Sequence, residues 1–406
     1  MSYILKCINC GKEYKKNEID YTCPKCGNRK GTLEILIEKK KINKEDLTYY
    51  SKKGIWQFID LLPIEKKSFF PEIEIGNTPL YKRDDIAKKY KIKKFFLKDD
   101  GKNPTSSFKD RASAIAVIKA KEKGYNTIFC ASTGNAASSL SGICAASNIK
   151  SVIFVPKNAP VAKLAQLQIY GSKVIKINGS YDKAFDISLQ LGMNKNWYCR
   201  NSAINPYLLE GKKTCSFELA VQSNWKLPDL IFVSVGDGTV LSSFYKGFSD
   251  LKEFGLIEKI PKIIGVQAKN ASTLMKTYFS GEPFFCNDEE VFTVADSIAV
   301  GKPRDVYKAC KYTKKFNGSF ISVEDKEIID SIFELSNSTG VFAEPAGATA
   351  FAGFKKYIQE EKSSEISAAV IITGNGLKDL NTPLKHLSTL KVYNTIEEIK
   401  EDINED

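Results

Sequence analysis

The amino-acid sequence predicts an α/β protein in which helices cover both faces of parallel sheets. Between residues 127 and 268, short apolar segments alternate with segments of helical periodicity. This alternation is typical of parallel sheets, because each connection between parallel strands crosses over, usually as a helix. A chain of 406 residues with 43% hydrophobic residues is long and apolar enough for one large two-lobed globule, or for two to three domains, with a buried core.

The elements of this core follow from the apolar runs. Strands are predicted at 95–98, 127–131, 151–155, 173–177, 230–235, 263–267 and 369–373. Helices are predicted at 162–170, 183–191, 305–315 and 325–338, and a solvated helix and tail at 397–406. Because ligands of parallel sheets bind beyond the carboxyl ends of the strands, we expect functional residues in the loops after 131 and 235.

Charge and histidine content restrict the possible functions. The formal net charge is +12, but lysines are spread over the whole chain without an arginine-rich tract interleaved with aromatics. We therefore expect a lysine-rich surface and no nucleic-acid partner. His386 is the sole histidine, which argues against Ser-His-Asp and histidine-metal catalysis. Acid–base chemistry must come from lysine, carboxylate or hydroxyl groups, or from a cofactor.

The sequence shows no membrane or secretion signal. No apolar run approaches the length of a membrane span, and the first six residues do not have the pattern of a signal peptide. We expect a cytoplasmic protein without a membrane partner. Its ten cysteines are then thiols or metal ligands and not a disulfide framework.

Two cysteine pairs mark a separate module at residues 1–35. Cys7 and Cys10 form one C-x-x-C pair, and Cys23 and Cys26 form the other. Each pair can place two thiolates on one side of a tight turn, and four thiolates make a closed tetrahedral zinc site. The pattern predicts a structural zinc ribbon; redox pairs and a metal-free remnant are the alternatives.

A charged, lysine-rich connection follows at residues 36–70. It contains an aromatic patch that we expect to cover a core and not to bind a ligand: Tyr49, Tyr50, Trp56, Phe58, Phe69 and Phe70.

Residues 103–111 are predicted to form a turn followed by the start of a helix. Pro104 disfavours helix at the residue before it, and Thr105, Ser106 and Ser107 are candidate N-caps. Lys109 then lies in the first helical turn, where the helix dipole repels an ammonium and lowers its pKa. A lowered pKa suits an amine that acts as a nucleophile or carries a Schiff base. The alternative is one more surface lysine in a lysine-rich chain.

Five motifs occur in a fixed order along the chain. They are Ser107-Phe108-Lys109-Asp110-Arg111, Ser132-Thr133-Gly134-Asn135-Ala136-Ala137-Ser138, Val235-Gly236-Asp237-Gly238-Thr239, Glu344-Pro345-Ala346-Gly347 and Thr373-Gly374-Asn375-Gly376-Leu377-Lys378-Asp379. In type and order they resemble the cofactor motifs of pyridoxal-phosphate (PLP) enzymes of fold type II, the tryptophan synthase β superfamily. With the cysteine pairs, the pattern most resembles the threonine synthase family, over nearly the entire chain.

The resemblance implies two α/β lobes with parallel or mixed sheets, PLP between them, and a homodimer. The expected domains are the zinc ribbon at 1–35, a linker and the first part of the large lobe at 36–100, the small lobe with Lys109 and the 132–135 loop at 101–200, and the remaining large lobe at 201–406.

The resemblance also implies roles for single residues. Lys109 carries PLP, Asn135 contacts the phenolic oxygen of PLP, and the Thr373 hydroxyl faces its pyridine nitrogen. Ser132, Thr133 and Ala136 help to hold the carboxylate of the substrate, and Glu344 lies near the cofactor. On residue type alone, the 132–135 segment suits an anion at a helix start, or is a small-residue helix cap that packs closely.

The glycine loop at 236–239 is predicted to bind the phosphate of PLP. Glycines let backbone amides approach a phosphate, and Leu241 replaces the third glycine that a dinucleotide-binding G-x-G-x-x-G loop requires. Asp237 is unusual, because the commoner threonine synthase loop has asparagine there. We expect its carboxylate to turn away and the amides of Gly236, Gly238 and Thr239 to bind.

One departure from the family concerns the substrate. Residues 201–214 resemble the segment N-P-Y-R-x-E-G-Q, whose arginine grips the substrate phosphate, but Leu208 stands at the place of that arginine. Lys212, which replaces the glutamine, and Arg304 are candidates for its role; either is otherwise a surface charge.

The expected partner is a small amino-acid substrate. The leading hypothesis is a PLP-dependent lyase that converts O-phosphohomoserine and water into threonine and phosphate. The alternatives are β-replacement or β-elimination on another amino acid, as in cysteate synthase or the serine, threonine and diaminopropionate ammonia-lyases, and a zinc-ribbon protein that binds nucleic acid.

Overall fold

The computed structural model describes residues 2–48, 54–65, 69–284, 286, 289–361 and 364–404. Its strands, in chain order, are β1 Tyr3–Cys7, β2 Glu13–Lys15, β3 Leu33–Ile37, β4 Leu80–Lys82, β5 Lys94–Asp99, β6 Thr127–Ala131, β7 Lys150–Pro156, β8 Lys173–Ile177, β9 Tyr198–Cys199, β10 Leu230–Ser234, β11 Lys262–Ala268, β12 Ser319–Val323 and β13 Ser367–Ile372. Its helices are α1 Gly27–Lys30, α2 Lys44–Thr48, α3 Asp84–Lys89, α4 Lys109–Glu122, α5 Asn135–Ala146, α6 Val161–Ile169, α7 Tyr181–Asn194, α8 Tyr207–Lys212, α9 Thr214–Gln222, α10 Thr239–Glu253, α11 Thr273–Ser280, α12 Val306–Lys315, α13 Asp325–Thr339, α14 Pro345–Glu361, α15 Asn381–Leu384 and α16 Ile396–Asn404.

The strands form three sheets. The N-terminal sheet has the order β2-β1-β3 and is antiparallel. A four-stranded parallel sheet has the order β8-β7-β6-β9. A six-stranded sheet has the order β12-β11-β10-β13-β5-β4, in which only β4 is antiparallel to its neighbour. The predicted α/β class with parallel and mixed sheets is confirmed.

The large sheet is buried on both faces. Along β10, Ile231 and Val233 pack into the hydrophobic cluster on one side, whereas Leu230 and Phe232 pack into the cluster on the other. Successive side chains of a strand point to opposite faces, so a strand covered on both sides reads as one apolar run. This is why the apolar runs located the central strands.

The start of α4 differs from the prediction. The N-cap residue is Phe108, no side chain caps the helix, and the Ser107 hydroxyl is buried without a hydrogen-bond partner. The prediction of a cap at 105–107 is therefore wrong. The backbone here pairs with the end of β13 instead, because Phe108 donates to Thr373 O at 2.9 Å and Ser106 O accepts from Asn375 N at 3.1 Å.

The aromatic patch of the connection mostly covers a core, as predicted. Trp56 and Phe58 are buried, and Phe70 packs against Trp56 with ring centroids 5.0 Å apart. Phe69 is instead exposed. Tyr49 and Tyr50 lie outside the described residues.

Candidate active site

A cavity of about 410 Å³ opens between the four-stranded and six-stranded sheets, within the usual size range of small-molecule sites. Most of the residues singled out from the sequence line it: Lys109, Ser132, Thr133, Asn135, Ala136, Gly236, Asp237, Gly238, Thr239, Arg304, Glu344 and Thr373. Lys212 does not line this cavity. The five motifs are thus brought together from both lobes.

Lys109 is the first residue of α4 and projects into the cavity. Burial of its amine, with a contribution from the nearby Arg200 guanidinium, lowers the pKa of Lys109 to about 8. Glu344 and Asp237 oppose this shift only in part. About a tenth of the amine is therefore unprotonated at pH 7, far more than for an ordinary lysine with a pKa near 10.4, and a nucleophilic lysine requires this unprotonated form.

The residues that follow Lys109 fix the position of its helix. Arg111 is fully buried, and its guanidinium pairs with Asp100 at 2.6 Å and with Glu218 at 2.7 Å. Asp110 accepts a hydrogen bond from the backbone N–H of Thr105 at 2.7 Å. The charged residues of the lysine motif thus hold α4 against the end of β5 and against α9, and they leave Lys109 to face the cavity.

The loop after β6 forms one wall. It runs from Ser132 to the start of α5 at Asn135, as predicted for an anion site at a helix N-terminus. The Ser132 hydroxyl accepts from the N–H of Gly134 at 3.2 Å. The Asn135 amide donates to both carboxylate oxygens of Glu344, at 2.8 and 3.0 Å, and so joins the two lobes.

The glycine loop after β10 forms the opposite wall. Gly238 has a φ of +94°, in the left-handed region, and a Cβ there would approach the Cβ of Ala309 to 3.0 Å. At Gly236 a Cβ would lie 2.9 Å from the backbone of Ile298. Only glycine fits such close approaches, so the amides of this loop line the cavity directly.

Asp237 is held by backbone groups of the loop that precedes α12. Its carboxylate accepts from the N–H of Arg304 at 2.6 Å, and its carbonyl accepts from the N–H of Asp305 at 3.2 Å. Burial raises the pKa of Asp237, while the charge of Arg304 opposes that rise.

Thr373 follows β13 and lines the cavity between the lobes. Its hydroxyl lies 3.4 Å from the hydroxyl of Ser234. The adjacent Gly374 has no room for a side chain, because a Cβ would lie 2.4 Å from the Glu344 carboxylate.

The two predicted substrate cations occupy different places. Lys212 is buried in α8 and donates to the Thr239 hydroxyl at 2.7 Å, which puts it behind the glycine loop. Burial lowers its pKa well below the ordinary lysine value. Arg304 lines the cavity, but its guanidinium is paired with Asp182 at 2.8 Å.

Leu208 is also buried in α8 and is not among the residues that line this cavity. It lines a narrow gap together with Leu33 of the N-terminal sheet and Lys212.

Arg200 is one of the cavity residues that the sequence analysis did not single out. Arg200 follows β9, and its side chain is 1% exposed and lines the cavity. β9 has only two residues, too few for a periodic signal, so the carboxyl end of this strand was not recognised. The rule that ligands bind beyond strand ends would have drawn attention to Arg200 if β9 had been predicted.

The N-terminal cysteines converge as predicted. The Sγ atoms of Cys7, Cys10, Cys23 and Cys26 all lie within 4.8 Å of one another, and those of Cys10 and Cys23 are 3.8 Å apart. Tetrahedral zinc with bonds of about 2.3 Å separates its sulfur ligands by about 3.8 Å. The donor set and spacing therefore fit a zinc ion.

None of the helices in the described residues combines the length and the apolar character that crossing a membrane requires.

Similarity to known proteins agrees with this site. Residues 72–374 match the family model of pyridoxal-phosphate dependent enzymes. The chain is 36% identical over 386 residues to a threonine synthase of Methanocaldococcus jannaschii, covering 94% of each chain. It is 38% identical to a threonine synthase of Methanosarcina acetivorans, over 94% of this chain and 93% of the relative.

Solved structures show the same fold. The processed threonine deaminase isoform 2 of Solanum lycopersicum matches with a TM-score of 0.67 at 19% identity, over 86% of this chain and 95% of that one. Maize serine racemase matches with a TM-score of 0.65 at 19% identity, over 81% of this chain and 94% of that one. The fold type II architecture is confirmed, and the chain belongs to the threonine synthase family of pyridoxal-phosphate dependent enzymes.

Proposed function

We propose that this protein converts O-phosphohomoserine and water into threonine and phosphate. The observation that carries the proposal is the Lys109 amine, which lies in a cavity between the lobes with its pKa lowered to about 8. Curated relatives named threonine synthase, at 36% and 38% identity over nearly the whole chain, support the substrate.

The residues of the cavity fit PLP. The close approaches at Gly236 and Gly238 form a cradle of backbone amides suited to its phosphate, with the Lys212 amine behind Thr239. Lys109 would hold the cofactor, and the Asn135 amide would reach its ring oxygen. When bound there, PLP supplies the electron sink that makes the C–H bonds beside the substrate amino group acidic.

Within this site, we assign the proton transfers to Lys109. Its amine removes one proton from Cα and one from Cβ of the substrate, and phosphate leaves from Cγ. The same amine returns these two protons to Cγ and Cα, while water adds its hydroxyl group at Cβ and gives its remaining proton to the released phosphate. The 132–135 loop orients the substrate by its carboxylate. The Thr373 hydroxyl, unlike a carboxylate, does not force a ring nitrogen beside it to be protonated, which favours elimination over transamination.

The alternative reactions rest on the absence of arginine at position 208. Leu208 is buried in α8 and is not among the residues that line the cavity, so its side chain makes no contact there that would favour another amino acid. β-replacement and ammonia-lyase reactions stay outcomes of the test below.

The test uses the PLP-loaded protein and its Lys109→Ala variant. The wild type is expected to release threonine from O-phosphohomoserine, and the variant to lose turnover, because it lacks the base. Lys195→Ala, a change at an exposed lysine, is the control and should keep wild-type activity. Normal turnover by Lys109→Ala, or faster turnover of unphosphorylated amino acids by the wild type, would contradict the proposal.

Three further parts of the account stay proposals. Zinc is proposed at the four N-terminal cysteines as a structural ion, since four protein ligands leave no open position. A homodimer in the cytoplasm and the four domain ranges expected from the sequence also stay predictions. The chain passes from the six-stranded to the four-stranded sheet between residues 99 and 127 and returns between 199 and 230. These changes of sheet support the proposed domain ranges.

A further inference from the structure

Arg200 is a fully buried cation that has no counter-ion among the described residues. Its Nε donates to the Ser113 hydroxyl at 3.1 Å, and its Nη2 has no hydrogen-bond partner. Burial lowers the pKa of Arg200, but a guanidinium stays protonated in proteins. A buried charge that lacks a partner costs several kcal/mol, so such a group indicates an anion that binds to it.

The position of Arg200 is that of a ligand-binding residue. β9 is the parallel neighbour of β6, and the backbone N–H of Arg200 donates to Phe129 O at 2.8 Å. Arg200 and the 132–135 loop therefore lie beyond the carboxyl ends of adjacent strands. Ser113 lies one helical turn beyond Lys109 on α4, so the guanidinium sits on the face of α4 that carries Lys109.

The two cations proposed from the sequence for the substrate, Lys212 and Arg304, already make polar contacts. Lys212 lies behind the glycine loop and donates to Thr239. Arg304 is paired with Asp182 at 2.8 Å. Arg200 lines the cavity, and its Nη2 is a charged donor without a hydrogen-bond partner among the described residues.

We propose that Arg200 binds the phosphate group of the substrate and so sets the preference for a phosphorylated amino acid. This inference rests on the proposed function. The planar guanidinium presents paired N–H donors that match phosphate oxygens, which a lysine cannot reproduce. The 132–135 loop is proposed to bind the amino-acid carboxylate, and the glycine loop is proposed to bind the phosphate of PLP. The phosphate of the substrate is then the anionic group without an assigned partner, and Arg200 can bind it.

The test measures binding to the full-length, PLP-loaded protein by calorimetry. The probes are inorganic phosphate, threonine, which has the carboxylate but no phosphate, and O-phosphohomoserine, whose binding is taken from its KM because the wild type is expected to turn it over. Arg200→Gln is expected to weaken the binding of inorganic phosphate and of O-phosphohomoserine by about 10- to 100-fold, the usual effect of losing a charge-assisted hydrogen bond. Threonine affinity should change less than about threefold, and Arg200→Lys should fall between Gln and wild type because it keeps the charge but loses the fork.

Two further variants keep the test decisive. Arg83→Gln, at a surface arginine paired with Asp85, should leave all three affinities unchanged. Ser113→Ala keeps the charge of Arg200 but removes the hydroxyl that orients it, and should weaken phosphate binding even if Arg200→Gln does not fold. PLP content and the far-ultraviolet circular dichroism of each variant show whether it is folded.

The outcomes separate this inference from the proposed function. Unchanged phosphate affinity in folded Arg200→Gln overturns the inference and leaves the function intact. An equal loss of threonine affinity also overturns it, since Arg200 would then hold the carboxylate. If wild type does not turn over O-phosphohomoserine but binds inorganic phosphate through Arg200, the proposed function fails and the anion site stands. No phosphate binding by wild type overturns the inference.

Discussion

At the residue scale, the reactivity of Lys109 follows from its surroundings. Its amine is buried in the cavity near the Arg200 guanidinium. Burial and the positive charge of Arg200 both disfavour the charged form of the amine. Below its pKa of about 8 the amine is protonated and unreactive, and above it the amine is free to attack a carbonyl.

We therefore predict the pH dependence of cofactor uptake. In PLP-free protein, the rate of covalent attachment of pyridoxal should rise with pH and level off above about 8, as the Lys109 amine loses its proton. Absorbance of the imine follows the reaction, and free Nα-acetyl-lysine is the reference, with an ordinary pKa near 10.4. A protein rate that keeps rising in parallel with the reference up to pH 10 would show that Lys109 is not perturbed.

Arg111 tests the buried charge network that holds α4. Arg111→Ala leaves Asp100 buried without its cation and leaves Glu218 with only Lys98, and should lower the free energy of unfolding by about 3–5 kcal/mol. Lys82→Ala, which breaks the exposed pair with Asp84, should cost less than about 1 kcal/mol. Urea denaturation measures both. Equal effects of the two changes would mean that the network is not what fixes the helix.

At the element scale, the glycine loop depends on backbone shape. Gly238→Ala puts a Cβ at a φ of +94° and 3.0 Å from Ala309, and should weaken PLP binding about tenfold by displacing the loop. Gly255→Ala is the matched control, since Gly255 has a φ of +72° with nothing within 4 Å of its Cβ. It should lower stability by about 1 kcal/mol and leave PLP affinity unchanged. Fluorescence titration with PLP distinguishes them, and equal PLP affinities would contradict the role of the loop.

The N-terminal sheet carries the proposed zinc site and packs against α12. Lys308 donates to Leu33 O at 3.1 Å, and Tyr312 donates to Glu34 at 2.6 Å. We predict about one zinc per chain, lost in Cys23→Ser and kept in Cys144→Ser, as measured by mass spectrometry. Removing zinc with a chelator should lower Tm, because metal binding is folding free energy for such small modules. A metal-free wild type with the same Tm would refute this prediction.

Local elements could be predicted where one pattern dominates. The runs at 127–131 and 173–177 are buried or half-buried parallel strands and were located to the residue. The N-terminal cap of α4 could not be predicted. Its place is taken by backbone hydrogen bonds to the end of β13, whose residues are far away in the sequence. β9 was missed because two residues carry no period.

At the scale of the whole molecule, the order of the strands in each sheet decides which residues lie close together. β5 and β13 are parallel neighbours although 267 residues lie between Asp99 and Ser367, and no local pattern in the sequence signals this pairing.

 Local periodicity finds the strands, but it does not say which of them pair. The site was therefore predicted in part: the motif residues were named, whereas the buried cation Arg200 depended on a neighbour relation between β6 and β9 that only the fold shows.

The two lobes meet at the cavity through a few polar contacts. Asn135 of the four-stranded lobe donates to Glu344 of the six-stranded lobe, and Arg304 pairs with Asp182 across the same gap. The residues proposed to bind substrate and cofactor come from both lobes, so the proposed reaction requires both lobes together.

The most direct test of the proposed reaction is the joint measurement of phosphate and threonine when PLP-loaded protein meets O-phosphohomoserine. The cavity, with Lys109 as its base, predicts that both products appear at equal rates and in equal amounts. Phosphate without threonine, or neither product from a protein whose cofactor spectrum still responds to other amino acids, would contradict it.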